Sequence, residues 1–505
     1  MAKLLPGDSD AIVRENVRIL KAQGFSEMDA LEHAHSYARG AVDSDDSGET
    51  DADDFAYDEG EAEDSQDRQF VVVTKDFSGL GWAKKLQEEG ENVTLAHKCN
   101  ETEAKDKKLY HQVGVDWMDS IMTLEEAMKK LQTPTTYWVF AENAFPEQAD
   151  ELRAAGQRVF GTSALSEKME HDRNYAVGVA EDSGLESPTT HEFSTREEGL
   201  AFMDENPDKA YVFKPDDGKF NHLTFVPSRK KDEDANRETY IYLEHMKEDP
   251  GTYILQERIP QEEGTECCVE LWLYEGEPFL ATLGLELKRK DTYDIGEMAG
   301  CAGDFFQLIP LESELVKQTI GLMVPFYKEQ KYTGIADVNV IFTKAGPKFL
   351  EVCNRFGYNS HPNMFLGLAL DGFGSIIADF TDGQIEGMED RFRKDVGCSL
   401  TFFLDHPREG LPLHVDPKYV EQFYPFDGYM EDGTLLLTGY SNEIGMFVDH
   451  GADMQKAWDA VWQKVVFEEA VHVSDMYYRD DLVDDNYYNA PMLRMKKLKK
   501  MGLLL

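Results

Sequence analysis

Residues 346–357 read Gly346-Pro347-Lys348-Phe349-Leu350-Glu351-Val352-Cys353-Asn354-Arg355-Phe356-Gly357. The apolar run predicts a strand, with Glu351 near its end and Arg355 four residues on. A carboxylate leaving an apolar strand is costly to bury unless a cation meets it. The same composition recurs upstream. Lys214 ends Tyr211-Val212-Phe213-Lys214, and Glu257 ends Tyr253-Ile254-Leu255-Gln256-Glu257, ahead of Arg258-Ile259-Pro260. Gly264-Thr265-Glu266 then opens another apolar strand. Charges of both signs at several strand ends, with glycine nearby, predict a shared cleft for a charged ligand. An anion carrying a divalent metal uses both, cations on phosphate and carboxylates on Mg²⁺. Taken singly, each charge is equally well explained as snorkelling out of its own sheet. Their order along the chain favours the cleft.

Outward towards the N-terminus the texture is α/β. Phe70-Val71-Val72-Val73-Thr74 is the short β-branched run of a strand buried on both faces. It passes through Asp76-Phe77-Ser78-Gly79-Leu80-Gly81 into an amphipathic helix over 82–89, with further strands at 92–96, 136–140 and 158–161 and a helix around 147–155. Strands alternating with helices predict a parallel sheet with right-handed crossovers. The Gly79/Gly81 turn has the form of an anion cradle at a helix N-terminus, but a plain tight turn explains it better. The middle, to about residue 390, mixes helices with short strands. From 391 a smaller mixed domain follows, with strands at 399–404, 434–438 and 445–448 and a helix at 453–464. Residues 486–505 are a basic tail carrying Lys496, Lys497, Lys499 and Lys500, expected to dock on the acidic body.

Composition bounds the function. The chain has 505 residues, 51 Lys and Arg against 97 Asp and Glu, and a formal charge of −46. Such a polyanion is repelled by nucleic acid backbones and anionic membranes, so neither is expected as a partner. No apolar run reaches the ~20 residues of a membrane-spanning helix. The six cysteines, Cys99, Cys267, Cys268, Cys301, Cys353 and Cys398, form no C-x-x-C pair, which points to a reducing cytoplasm. Cys267 and Cys268 alternate faces of one strand and read as one core and one edge residue. His33, His35, His361 and His406 lack metal spacing and read as structural. Residues 1–40 read as a two-helix leader. Residues 41–68 hold thirteen acids and one base and predict a disordered linker that cannot offset its chain entropy.

The ordered charges resemble those of the ATP-grasp enzymes, and among them phosphoribosylamine–glycine ligase, over roughly Gln69–Leu482. Tyr137-Trp138-Val139-Phe140-Ala141-Glu142-Asn143 is similar to a family strand ending in Gly-Pro-Glu, and Ala155-Gly156 through Phe160-Gly161 to its Ala-Gly-x-x-x-Phe-Gly. Leu287-Lys288-Arg289 with Asp294, Gly296 and Gly300 resembles its His-Lys-Arg and Gly-rich loop. Tyr332-Thr333-Gly334, Gly346–Glu351 and Arg355-Phe356-Gly357 resemble its most specific stretch, and Gly410–Leu413 and Tyr478-Arg479-Asp480 later landmarks. The resemblance implies an N-terminal parallel α/β domain (69–163), an ATP-grasp core (164–390) and a small C-terminal mixed domain (391–485). It implies ATP and Mg²⁺ as cofactors, with small-molecule carboxylate and amine substrates joined through an acylphosphate. Arg173 and Lys214 would meet the ATP phosphates, Glu257 and the Ile259 backbone the adenine, and Glu266 the ribose. Glu351 would bind metal, helped by Asp337 or Asn339, and Arg355 would neutralise the transferring phosphoryl group. Lys288 and Arg289 would hold an anionic or carbonyl group of the acceptor.

The departures bear on the acceptor. The family's Gly-Gly-Arg-Glu-His-Ala turn, which grips a sugar phosphate, is replaced by Asp76-Phe77-Ser78-Gly79-Leu80-Gly81-Trp82, and its Asp-Pro-Glu after Gly357 by Tyr358-Asn359-Ser360. Cys353 stands where the family has a metal-binding Asn. A thiol suits hard Mg²⁺ poorly, which leaves Asn354 to take over or binding to weaken. The loop at 216–222 has one glycine where relatives have several. Three functions are therefore carried forward. The first is an ATP-dependent carboxylate–amine ligase that does not use phosphoribosylamine. The second is phosphoribosylamine–glycine ligase itself, and the third a nucleotide-binding structural or assembly protein without turnover. The leader also resembles short helical leaders of tailed-bacteriophage proteins, which implies a viral origin and a host cytoplasm. Oligomeric state is not legible.

Overall fold

The computed structural model describes residues 68–99, 104–216, 223–228, 231–260, 264–484 and 486–504. The leader, all of the acidic stretch but Arg68, and the loop at 217–222 lie outside the described residues. Arg68 is not linker: its guanidinium pairs with Glu91.

Five parallel strands open the body: β1 (Gln69–Thr74), β2 (Asn92–His97), β3 (Ile121–Thr123), β4 (Thr136–Phe140) and β5 (Arg158–Phe160), in the order β3-β2-β1-β4-β5. Alternation sorts the side chains of β1 and β4 into two layers. Phe70, Val72, Tyr137 and Val139 pack with the helix Leu80–Glu88, while Val71, Val73, Trp138 and Phe140 pack with Leu124, Ala149 and Leu152. Each such apolar side chain, fully buried, contributes about 1.5–3 kcal/mol. The chain reverses direction across the sheet between β1 and β4. Open α/β sheets bind ligands in the crevice beyond the strand ends at such a switch point.

A small antiparallel sheet follows, β6 (Thr190–Phe193), β7 (Tyr211–Pro215) and β8 (Tyr253–Glu257), with β8 in the middle. The large antiparallel sheet is built from β9 (Thr265–Tyr274), β10 (Glu277–Gly284), β11 (Leu287–Asp291), β12 (Ile295–Ile309), β13 (Gly334–Thr343), β14 (Gly346–Cys353) and β15 (Val396–Leu404). Its path runs β14-β13-β9-β10-β12-β15 and continues through Glu443–Gly451 to Phe423–Pro425, with β11 pairing to β12. Strands on either side of residue 390 thus share one sheet, because β12 pairs with β15. The tail forms the helix Pro491–Lys500, which docks through buried Met495 and Leu498. Buried Arg494 donates to the carbonyl oxygens of Glu266, Leu285 and Glu286.

Alternation along β9 explains how the large sheet carries charge. Cys267, Val269, Leu271 and Leu273 enter one apolar core. Glu266, Cys268 and Glu270 occupy the other face, which ends in Trp272 packed on Phe356 and Phe380. Both cysteines are buried, so Cys268 is not the edge residue expected of it: the sheet is covered on both faces.

Candidate functional site

Register assembles the site. Across β9, β13 and β14, Cys268 pairs with Asn339 and Asn339 with Glu351. One step along, Glu270 pairs with Asp337 and Asp337 with Cys353. Paired residues share a face of the sheet, so Asn339 and Glu351 stand side by side on the same polar surface. Lys214 approaches from β7, Gln256 and Glu257 from β8, Lys288 from β11 and Arg173 from the first turn of the helix Arg173–Asp182. Together they line a cavity of about 500 Å³. Pro188, Val212, Val226 and Ile341 give the same cavity apolar walls.

Its electrostatics centre on Glu351. Lys288 Nζ lies 3.1 Å from its Oε1 and Arg173 NH1 3.8 Å from its Oε2. Lys288 above all, then Lys214 and Arg173, hold the Glu351 carboxyl far below the usual range against the opposing effect of burial. Burial alone would lower the Lys288 ammonium, but Glu351, Glu286 and Glu266 outweigh it and raise it well above its ordinary value. Lys214 is the exception. Its Nζ donates to two neutral acceptors, Gln256 Oε1 at 2.9 Å and the Leu350 carbonyl at 3.4 Å. Burial and the nearby Arg173 push it down to about 8. A cation held this way calls for an anion from outside.

The other sequence candidates divide. Glu257, Ile259, Glu266, Arg289, Asp337 and Asn339 all line the cavity, as does Arg355. Glu257 is also 3.4 Å from Lys209. Arg289 donates to the carbonyl oxygens of Gly296 and Val226. Asp337 is buried, accepts a 2.6 Å hydrogen bond from the Cys268 thiol, and has its carboxyl pushed up by burial and by Glu270. An Asp337 whose carboxyl is pushed up by burial and held by a thiol is a poorer metal ligand than its neighbour Asn339. Asn354 does not join the site. It is 1% exposed on the opposite side of the strand end, where its Oδ1 accepts from the Tyr327 hydroxyl. Cys353 keeps the inward place, 3.8 Å from Arg355 NH2.

Sequence reading passed over several groups. Gln256 and Glu286 each sit beside a quoted charge, and Glu286 lies 3.4 Å from Lys288, two residues away along the chain. Glu170 grips Arg355 at 2.8 Å. Asn489 reaches the cavity from beyond the third domain and bonds Asp294, which also takes a 2.8 Å hydrogen bond from buried Arg479. Two landmarks 185 residues apart are thereby locked together. The Glu170–Arg355 and Asp294–Arg479 pairings, each across 185 residues, lacked a local signal.

A second cavity, of about 270 Å³, opens beyond β1 and β4 at the switch point and shares Glu170, Arg355, Gly357 and Tyr358 with the first. Its wall is the turn after β1, and four of that turn's N–H groups are occupied. Lys75 N donates to Glu142, Ser78 N to Asp76, Gly79 N to the Thr74 hydroxyl and Leu80 N to the Phe77 carbonyl. Thr74 and Ser78 hydroxyls donate to the same Glu142 carboxylate. Gly81 is pressed against Tyr424, so that even a Cβ would meet its ring at 2.4 Å. Trp82 stacks on His361 at 3.8 Å, both buried. This is a tight turn closed by the protein's own carboxylates.

No family model matches the chain. It is 20% identical over 347 residues to phosphoribosylamine–glycine ligase of Streptococcus pneumoniae, covering 66% of this chain and 80% of that one. Its fold is similar to the crystal structure of phosphoribosylamine–glycine ligase from Thermotoga maritima, with a TM-score of 0.61 at 17% identity over 82% of this chain and 99% of that one. It is also similar to a biotin carboxylase–β,γ-ATP complex from Campylobacter jejuni, with a TM-score of 0.57 at 10% identity over 86% and 95%. In fold the chain is similar to these multidomain α/β enzymes, and in sequence it is distantly similar to the glycine ligases.

Proposed function

We propose that the protein is an ATP-dependent carboxylate–amine ligase. The observation that carries this reading is the convergence of Lys214, Lys288 and Arg173 around Glu351 in an apolar-walled cavity, with no carboxylate at hydrogen-bonding distance from Lys214 among the described residues. The residues fit Mg·ATP. The cations would neutralise phosphate oxygens, Glu257 and the Ile259 backbone would face the base, Glu266 the ribose, and Glu351 with Asn339 would hold Mg²⁺. Bound there, Mg²⁺ supplies charge neutralisation on the phosphates. Similarity to a glycine ligase and to a carboxylase crystallised with β,γ-ATP supports the same reading.

The chemistry is the one the resemblance implies, laid across the two joined cavities. A carboxylate oxygen of the acid attacks the γ-phosphorus, and the bond from that phosphorus to the bridging oxygen breaks, releasing ADP. The amine nitrogen then forms a bond to the acyl carbon. The bond from that carbon to the phosphate oxygen breaks, phosphate leaves, and the nitrogen loses a proton. Arg355 borders both cavities. There its fixed guanidinium would offset charge on the group in transfer, the positioning and neutralisation on which phosphoryl transfer depends.

Phosphoribosylamine is not the amine in this reading. Its phosphate would meet Asp76 and Glu142 and a turn in which the Lys75, Ser78 and Gly79 amides are taken, which costs electrostatic energy. The test is ADP release by the purified protein with Mg²⁺, ATP and a panel of acids and amines. Turnover with some pair supports the ligase. ATP binding without ADP release from any pair would favour the non-catalytic reading, to which Cys353 in the metal position already lends weight. Formation of glycinamide ribonucleotide from freshly made phosphoribosylamine, or rescue of a strain lacking that ligase, would restore the purine reading.

A further inference from the structure

The second cavity opens outward into a larger one, of about 760 Å³, through Asp76, Ser78, Tyr358 and Phe426. Carboxylates line the connected space. Asp76, Glu142 and Glu443 stand within it, and Asp106, Glu297 and Asp405 nearer the outer part. The cations are fewer. Lys75 and Lys105 are present, while Arg355 is already bonded to Glu170. Burial, then the neighbouring Asp76, pushes the Glu142 carboxyl up to about 8, and burial pushes Glu443 up to about 7. Each carboxyl thus resists ionising by itself, and a positive charge beside it would stabilise its ionised form. A second, independent sign of a missing ligand is Asn143. It lines the cavity at 6% exposure, its Nδ2 donates to Glu170 and Ser166, and its Oδ1 has no hydrogen-bond partner among the described residues. An unsatisfied buried acceptor beside carboxylates asks for a donor, and an ammonium offers three and accepts none.

We infer that this space receives a phosphate-free organic cation, an aliphatic amine bearing a second positive charge, held by Asp76, Glu142 and the Asn143 carbonyl at the mouth of the passage to Arg355. The inference rests on the ligase reading for its purpose, since this would be the amine substrate, but its binding claim stands apart from turnover. The passage shared by the two cavities sets the amine on the side of Arg355 away from Lys214 and Glu351. One nitrogen, once its ammonium form has given a proton to water, is thereby placed to become the nucleophile, while the second charge stays among the outer carboxylates.

The test is calorimetric titration of the full chain with 1,4-diaminobutane, and separately with ribose 5-phosphate, at near-physiological salt. The diamine should bind at millimolar concentration or below, and ribose 5-phosphate should neither bind nor compete. Asp76→Asn and Glu142→Gln should each weaken the diamine roughly tenfold or more. Asp76 is exposed, so its variant is expected to fold even if the Glu142 variant does not. Lys214→Ala, aimed at the nucleotide cavity, should leave diamine affinity unchanged. No diamine binding, or binding indifferent to both carboxylate variants and therefore mere attraction to a polyanion, would overturn the inference. Ribose 5-phosphate displacing the diamine would also overturn it. Failure of the diamine to provoke ADP release, with binding and its variant dependence intact, would count against the ligase reading alone.

Discussion

Lys214 is the residue on which the nucleotide cavity turns. It sits half-buried, with Gln256 and a backbone carbonyl for partners among the described residues, so an incoming phosphate would supply a hydrogen-bonded anion. Removing one charge-assisted contact costs about 1.5–3 kcal/mol, and Lys214→Ala should therefore weaken Mg·ATP binding roughly ten- to hundredfold, as titration calorimetry would show. Its pKa near 8 adds a sign. Below that value the ammonium is ready to meet phosphate; above it the proton must first be taken up. Affinity should fall as pH rises past about 8, by up to ~tenfold per unit, and Lys214→Ala should abolish that dependence. A flat profile in the parent protein would mean another group holds the phosphates. Glu351 should behave oppositely in kind: its carboxyl is held far below the usual range, so no loss of binding from its protonation is expected at any mildly acidic pH.

At the scale of elements, the helix Pro491–Lys500 is a clamp. Arg494 joins three carbonyl oxygens from β9 and from the link between β10 and β11, the strands that carry Glu266 and Lys288. Arg494→Leu would leave those buried acceptors unsatisfied, at about 1–3 kcal/mol each where water cannot enter. Urea unfolding should register a loss of that order, with nucleotide affinity falling alongside. Unchanged stability would mean that water replaces the guanidinium. Sequence announced a basic tail here, yet the residue that matters is the one arginine inside the helix, and nothing local marks it. By contrast β1 was legible, because Phe70-Val71-Val72-Val73 has only one way to be buried on both faces. So was β14, whose apolar run ends in charge. What a single strand cannot disclose is register. Asn339 beside Glu351, and Asp337 beside Cys353, depend on how β13 pairs with β14 across a bulge. That pairing made Asn339 a better ligand candidate than Asp337, and alternation past the end of β14 turned Asn354 to Tyr327. The closed turn after β1 was half legible: Asp76 and Trp82 spoke against phosphate, but Glu142, which fills it, comes from the bend after β4, 68 residues beyond Thr74.

The whole molecule carries its charge inside as well as out. Besides a formal −46, the folded body buries carboxyls whose ordinary ionisation is suppressed. Burial, aided by Asp76, lifts Glu142 to about 8; burial lifts Glu270 to about 7; and burial with Glu286 lifts Asp304 well above its usual range. Each has a folded pKa above its unfolded one, near 4. Its contribution is therefore complete below the unfolded pKa and is lost as pH rises through the folded value. Buried histidines work the other way. Burial lowers His97 to about 4 and His361 well below 6.5, so they favour the fold as pH rises, but only up to about 6.5. Between pH 6.5 and 8.5 the carboxyls act unopposed by them, and the melting temperature should fall across that window. Glu142→Gln should make the fall shallower, by up to ~1.4 kcal/mol per pH unit for one group. Salt gives an independent handle, since self-repulsion of surface charge is screened over ~10 Å at 0.1 M. Raising salt at pH 8.5 should recover stability in both the parent and the variant, because the surface term does not pass through Glu142. A melting temperature that climbs from pH 6.5 to 8.5, or that ignores salt, would show that the acidic body is neither strained by its buried protons nor stressed by its surface charge.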